Sequence, residues 1–169
     1  MNSLISQGVA FTVIPVDQKG QCTVQNQLVL DRSLFMYAGT GQVKGTCEMI
    51  SALHKWEKEV VQPLAMRYFQ QPVVKVREMG TYSCRNIAGT NNRSLHSVAG
   101  AIDIGGFTLQ NGRYIDVERD WGKRTVESRF LADVNRQSCR IFNTVLGPNY
   151  NYDHRNHFHL DIGRYKTCK

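Results

Sequence analysis

The sequence has no apolar run approaching the roughly 20 residues of a membrane-spanning helix. It also has no block of consecutive Lys and Arg, no CxxC pair, no internal repeat and no low-complexity segment. Each absence narrows the reading. No transmembrane segment is expected within these residues. A four-Cys zinc knuckle is excluded for want of paired cysteines. With neither a basic block nor an interleaved aromatic platform, a nucleic-acid partner is not favoured. Met1 to Gln18 lack the Lys/Arg-flanked apolar core of a signal peptide. An exported form would therefore have lost its leader or use a route that needs none.

What is present describes a globular chain. Its 169 residues, 41% hydrophobic and 21% charged, suit one domain with a single core. The formal net charge of +7 favours a polyanionic partner such as nucleic acid, an anionic membrane or an acidic wall polymer. The basic residues are scattered, so a solvated surface with a positive bias reads equally well. Five cysteines, Cys22, Cys47, Cys84, Cys139 and Cys168, are spaced as in a disulfide-bonded protein of an oxidising compartment. The odd count leaves one without an intramolecular partner. Buried free thiols are the alternative.

Residues 1–45 read as irregular with short extended pieces. Val9 to Ile14 forms a candidate strand stopped by Pro15, and Gly39, Gly41 and Gly45 mark loops. This part is expected to wrap a core formed by residues 46–169, in a single compact domain. Thr46 to Gln70 reads as a helix. Ile50, Leu53, Trp56, Val60 and Leu64 make one apolar face, and Pro63 is expected to kink or split it. Val73 to Arg77 reads as a strand. The segment from His96 runs from loop into strand at Ala101–Ile104. Asn111-Gly112 signals a hairpin joining Phe107–Leu109 to Arg113–Val117. Thr125 to Phe142 reads as a second helix. In His157-Phe158-His159-Leu160-Asp161 strand alternation sends His157, His159 and Asp161 to one face and Phe158 and Leu160 to the other.

Chemistry concentrates in two stretches, which hold four of the five histidines. One is Ser94 to Asp103, with His96 and Asp103; the other ends in His157-Phe158-His159. A His and an Asp seven residues apart are a weak signal. His-x-His on a strand is stronger, because alternate residues aim two imidazoles at one place. Two imidazoles and a carboxylate form a three-residue zinc set, and catalytic zinc commonly keeps a further position for water. The competing reading is that His154, His157 and His159 are surface or core histidines with ordinary partners.

Ser94-x-His96, Ala101-Ile102-Asp103 and His157-x-His159 together resemble the LAS-type zinc peptidases, which include lysostaphin-like enzymes, D-alanyl-D-alanine carboxypeptidases and murein endopeptidases. The chain is more closely similar to the extensin-like C-terminal domain family. That likeness rests on Trp56 with Val60-Val61-Gln62-Pro63, Tyr82-Ser83-Cys84-Arg85-Asn86, Ala101-Ile102-Asp103, Phe107, Asp120-Trp121, Phe130-Leu131, Val145-Leu146-Gly147-Pro148 and His157 to Asp161, over about residues 46 to 163. One position departs: these families usually carry Gly three residues after the first ligand His, and here Ala99 precedes Gly100.

The resemblance implies an α+β domain of the LAS or hedgehog-like kind, with helices packed on a small antiparallel sheet. It implies His96, Asp103 and His159 as Zn2+ ligands, His157 as general base and His154 as an additional active-site His. Arg85 would hold a substrate carbonyl or carboxylate. Asp161 would orient a ligand His, or else be an exposed strand-end carboxylate, and Ser94 would fix the loop. The expected activity is hydrolysis of peptidoglycan cross-link or stem amides, endopeptidase favoured over carboxypeptidase, in the periplasm or outside the cell. Peptidoglycan is the expected partner, with an immunity or regulatory protein as a further candidate. The alternatives are a zinc-containing wall-binding module without activity and a metal-dependent nuclease. For the disulfides the favoured pairs are Cys84–Cys139 and Cys22–Cys47.

Overall fold

The computed structural model describes residues 1–169. A short helix α1 (Asn2–Ser6) leads into a long hairpin, β1 (Ala10–Lys19) and β2 (Cys22–Arg32), paired antiparallel. Residues 1–45 are therefore not irregular, and Pro15 does not stop the strand. β1 is the edge of its sheet, where a missing N–H costs no ladder bond. Pro15 and Asn26 are both skipped by the register, which pairs Ile14 with Gln27 and Val16 with Gln25. The register does not shift here, so Asn26, at φ +51°, lies opposite Pro15.

Next come β3 (Met36–Gly39), β4 (Lys44–Gly45) and helix α2 (Cys47–Trp56). The Thr46 side chain caps α2 by accepting from the Met49 N–H at 3.1 Å. The helical face expected from Ile50 onward is buried. At Glu57–Val61 the helix widens to a π turn before resuming as α3 (Gln62–Phe69). This is the split expected from Pro63, which has no N–H for the normal ladder and crowds the preceding turn. Gln62 N–H reaches back to the Glu57 carbonyl. The Glu57 carboxylate, fully buried, ties the 33–37 segment to the helix by accepting from Ser33, Leu34 N–H and Tyr37. Burial raises its pKa, against these hydrogen bonds.

The second half contains β5 (Val73–Gly80), β6 (Ala101–Leu109), β7 (Tyr114–Asp116), α4 (Val117–Asp120), α5 (Val126–Ser138), β8 (Thr144–Leu146), β9 (Phe158–Asp161) and β10 (Thr167–Cys168). The two stretches expected at 101–104 and 107–109 are one strand. Gly105 and Gly106 do not interrupt it. They let the Met79 side chain and Tyr114 lie where a Cβ would otherwise stand. The hairpin signalled by Asn111-Gly112 is present, with Gly112 at φ +85°. α5 starts after Thr125, which is its cap rather than its expected first residue, and ends at Ser138, short of Phe142.

The fold is α+β with two sheets. One has the order β1-β2-β4. The other has seven strands in the order β10-β8-β9-β6-β5-β3, with β7 also on β6. The larger sheet is mixed rather than antiparallel: its two outer pairs, β3 with β5 and β10 with β8, are parallel. Central β6 is buried on both sides. The core runs from Leu4 and Leu28 through Trp56 to Ile102, Phe130 and Leu160. Trp56 packs against Phe107 and Phe142 and donates to the Ser138 hydroxyl at 2.8 Å. No helix is long and apolar enough to cross a membrane.

Two disulfides form, but not the favoured pairs. They are Cys22–Cys84 and Cys139–Cys168, and Cys47 is free. The hairpin, which spacing did not reveal, carries Cys22 to the 82–86 loop. β10 returns along β8 and brings Cys168 to the end of α5. Cys84→Ser should destabilise the chain by about 2–4 kcal/mol, and Cys47→Ser by no more than about 0.5 kcal/mol. Denaturant unfolding of both variants checks this; equal losses would contradict the pairing.

Candidate metal centre

β6 and β9 set the site through their register. Ile102 pairs with Leu160 and Ile104 with Phe158, and all four are in the core. Alternation then turns the intervening pair, Asp103 opposite His159, to the other side. Directly opposed residues of an antiparallel pair have neighbouring side chains, and the Asp103 carboxylate lies 2.9 Å from His159 Nδ1.

The third group, His96, sits on a 3-10 turn over Leu95–Val98. Ser94 caps this turn by accepting the His96 N–H at 3.3 Å, and the Ser97 hydroxyl donates to the Ser94 carbonyl. Ser94 thus fixes the loop. The turn closes at Ala99, which is left-handed with φ +54° and fully buried. That conformation favours glycine and costs a Cβ-bearing residue on the order of 1–2 kcal/mol. A glycine would adopt this conformation without that cost.

The three donor groups lie within 4.8 Å of one another. His96 Nε2 is 3.2 Å from His159 Nδ1 and 3.3 Å from the Asp103 carboxylate. The outer nitrogens decide what the inner ones are. His96 Nδ1 is 2.5 Å from the Thr81 carbonyl, and His159 Nε2 is 3.1 Å from the Asp161 carboxylate. Carbonyls and carboxylates only accept, so both outer nitrogens carry hydrogens. The neutral rings then point lone pairs inward, at each other and at a carboxylate. A cation satisfies three such donors together. The two separations from His96 are close to the ~3.3 Å between neighbouring ligands of a tetrahedral ion with bonds near 2.0–2.1 Å, and the third, 2.9 Å, is a hydrogen-bond distance. Imidazole and carboxylate are suitable donors for zinc, and the acceptors behind both rings fix tautomer and orientation as metal sites require. The residues fit the ion.

Without a metal, a proton can take that place. Burial alone would push His159 down, but the Asp103 and Asp161 carboxylates outweigh it and raise the imidazole to about 9. Burial opposes ionisation of Asp103, but the hydrogen bonds and charges of His159 and His96 hold its carboxyl well below the usual range. Asp161 is buried rather than exposed, and its second oxygen accepts from Gly163 N–H at 2.8 Å.

His157 lies just before β9, with Nε2 3.6 Å from the Asp103 carboxylate. Its Nδ1 faces the Asn156 side-chain oxygen at 2.8 Å, so Nε2 presents the lone pair to the site. Burial lowers its pKa despite Asp103. His154 is held by Asn151, which caps its turn. Its ring centre is 5.1 Å from His157 and 6.0 Å from His159. Burial and the neighbouring imidazoles push it down to about 4. Exposed Arg85 lines a polar cleft of about 450 Å³ whose walls also include His96 and Asp103.

The structure therefore brings His96, Asp103, His159 and His157 together, with His154 one ring further out and Arg85 at the cleft wall. Sequence reasoning missed Thr81, whose contribution is a backbone carbonyl that no side-chain pattern discloses. It also missed the wall built by Asp17, Lys19, Thr40, Gln42 and Lys44, because no local signal in residues 1–45 marks the β1–β2 hairpin that carries part of it. Asn151 and Asn156, beside the histidines they orient, were the legible omissions.

A profile of the family described as extensin-like protein C-terminus matches residues 1–169. The chain belongs to this family. The match covers the N-terminal hairpin as well as the segment from 46 onward. No curated protein and no solved structure matches the chain.

Because His159 keeps a proton up to about pH 9, a divalent ion must displace it. Zinc binding near pH 7 should release about one proton per ion and strengthen as pH rises toward that value. Calorimetry in two buffers of different ionisation enthalpy measures the release; none at all would contradict a protonated His159 in the metal-free chain. Asp161→Asn should weaken zinc binding by about 10–100-fold.

Proposed function

We propose that this chain is a zinc-dependent peptidase that hydrolyses amides in peptidoglycan cross-links or stem peptides. The observation that carries the reading is the His96–Asp103–His159 cluster, with its donors turned inward and a neutral His157 at its edge. Resemblance to the LAS-type peptidases supplies the substrate class, and the basic charge suits an anionic wall polymer. The two disulfides support a periplasmic or secreted location.

His96, Asp103 and His159 would hold the zinc ion. When bound, the ion supplies Lewis acidity to a scissile carbonyl and lowers the pKa of water. His157 accepts the proton of the attacking water at Nε2, because Asn156 fixes the ring and burial keeps it neutral at pH 7. It then returns that proton to the leaving amine. Arg85 holds a substrate oxygen, of a carbonyl or a carboxylate, at the cleft wall. His154, neutral and packed on Tyr150, positions the His157 ring and excludes water from its outer face.

The test is muropeptide analysis of purified peptidoglycan, with chelator and with zinc restored. Zinc-dependent loss of cross-linked dimers is expected. Loss of a terminal residue alone would make the enzyme a carboxypeptidase. Zinc retained with no new product would favour a wall-binding module. His159→Ala should lose zinc and turnover together. His157→Ala should keep zinc and lose about 10²–10⁴-fold in turnover; full turnover in that variant would remove His157 as the base.

A further inference from the structure

The tip of the β1–β2 hairpin is fastened over the loop that carries Arg85. Cys22 is bonded to Cys84. Arg93 donates to the Gln21 side chain at 2.8 Å, and the Tyr82 hydroxyl reaches the Cys22 carbonyl at 3.4 Å. Gly20, at φ +59°, turns the hairpin beside the disulfide, where a Cβ would be in ordinary contact with the Cys84 sulfur at 3.8 Å.

The disulfide also brings the chain positions of two cations to one cleft. Lys19 is the cross-strand partner of Cys22, and Arg85 follows Cys84 in the chain, so each is one step from the same bond. Both line the polar cleft that contains His96 and Asp103. The third cation of the cleft, Lys44, is already neutralised by Asp17 at 2.7 Å. Lys19 and Arg85 are in no ion pair, and Asp103 is engaged by imidazoles. The cleft wall thus carries two uncompensated positive charges.

We infer that Lys19 and Arg85 form a carboxylate subsite, which selects peptides with a free carboxylate beside the cleaved amide. This rests on the peptidase reading above. A carboxylate between an ammonium and a guanidinium accepts charge-assisted hydrogen bonds from both. The amide of the same shape loses that attraction. Two sources share the chemistry: a C-terminal carboxylate, and the unused carboxylate of a diamino-diacid residue within a stem peptide.

The probes are three synthetic stem tetrapeptides: one with all carboxylates free, one amidated at the C-terminus, and one amidated on the diamino-diacid. Dissociation constants are measured by calorimetry on zinc-loaded His157→Ala protein, so binding is read without turnover. One amidated peptide should bind about tenfold more weakly than the free one, the difference shrinking with added salt; which peptide it is identifies the source. Lys19→Gln should reduce that preference to below about threefold, with zinc content and circular dichroism unchanged. The Cys22→Ser/Cys84→Ser double variant should do the same. Equal binding of all three peptides, or an unchanged preference in Lys19→Gln, overturns the subsite. Failure of every peptide to bind overturns it too. Zinc-dependent cleavage of peptidoglycan by the unmodified chain is a separate result and can survive either outcome.

Discussion

The contact on which the rest depends is Asp103 against His159, directly opposed across β6 and β9 in the middle of the larger sheet. A carboxylate and an imidazole this deeply placed need each other, since each alone would be a buried polar group without compensation. His96 completes the group from a loop whose turn, cap and left-handed Ala99 serve to aim one ring. The Thr81 carbonyl and the Asp161 carboxylate then fix which nitrogens face inward. A cation is the species that satisfies all three donors together, and the pull on a proton at His159 expresses the same demand.

Around this centre the supports are arranged from inside outward. Thr81 joins the cluster to the cleft wall: its carbonyl faces His96, while its hydroxyl accepts from Lys44 N–H at 3.3 Å. Buried Glu78 holds Thr40 and Gly41 in the same wall by accepting from the Thr40 hydroxyl and Gly41 N–H. On the opposite side, Trp121 donates to Asn149 at 3.0 Å and packs on Phe158, anchoring the loop that carries His154. The N-terminal hairpin is not a wrapping. Its tip, locked by Cys22–Cys84, is one wall of the cleft.

The donor triad was legible because its residues mark themselves. His-x-His on an alternating strand commits two rings to one face, and Ile102 and Ile104 around Asp103 commit the carboxylate to the other side from the core. The α2–α3 break was legible for a similarly local reason, the missing N–H of Pro63. What the sequence concealed is non-local. Nothing in residues 1–45 states that β1 passes through Pro15, because this is tolerable only at a sheet edge, and edges are a property of topology. The same gap misassigned the disulfides, since their partners are set by the hairpin and by β10. The sheet was expected to be antiparallel, yet β3 and β10 join its two ends in parallel, and strands of four and two residues are too short to announce their partners. A backbone acceptor such as Thr81 has no side-chain signature.

The central claim is that two inward-facing imidazoles and one carboxylate bind a metal ion through this cluster. The most direct measurement is zinc stoichiometry together with zinc X-ray absorption on the loaded chain. The account predicts one zinc per chain, bound by nitrogen and oxygen at about 2.0–2.2 Å, and lost in Asp103→Ala. No retained zinc, or a zinc coordinated by sulfur from Cys47, would contradict it.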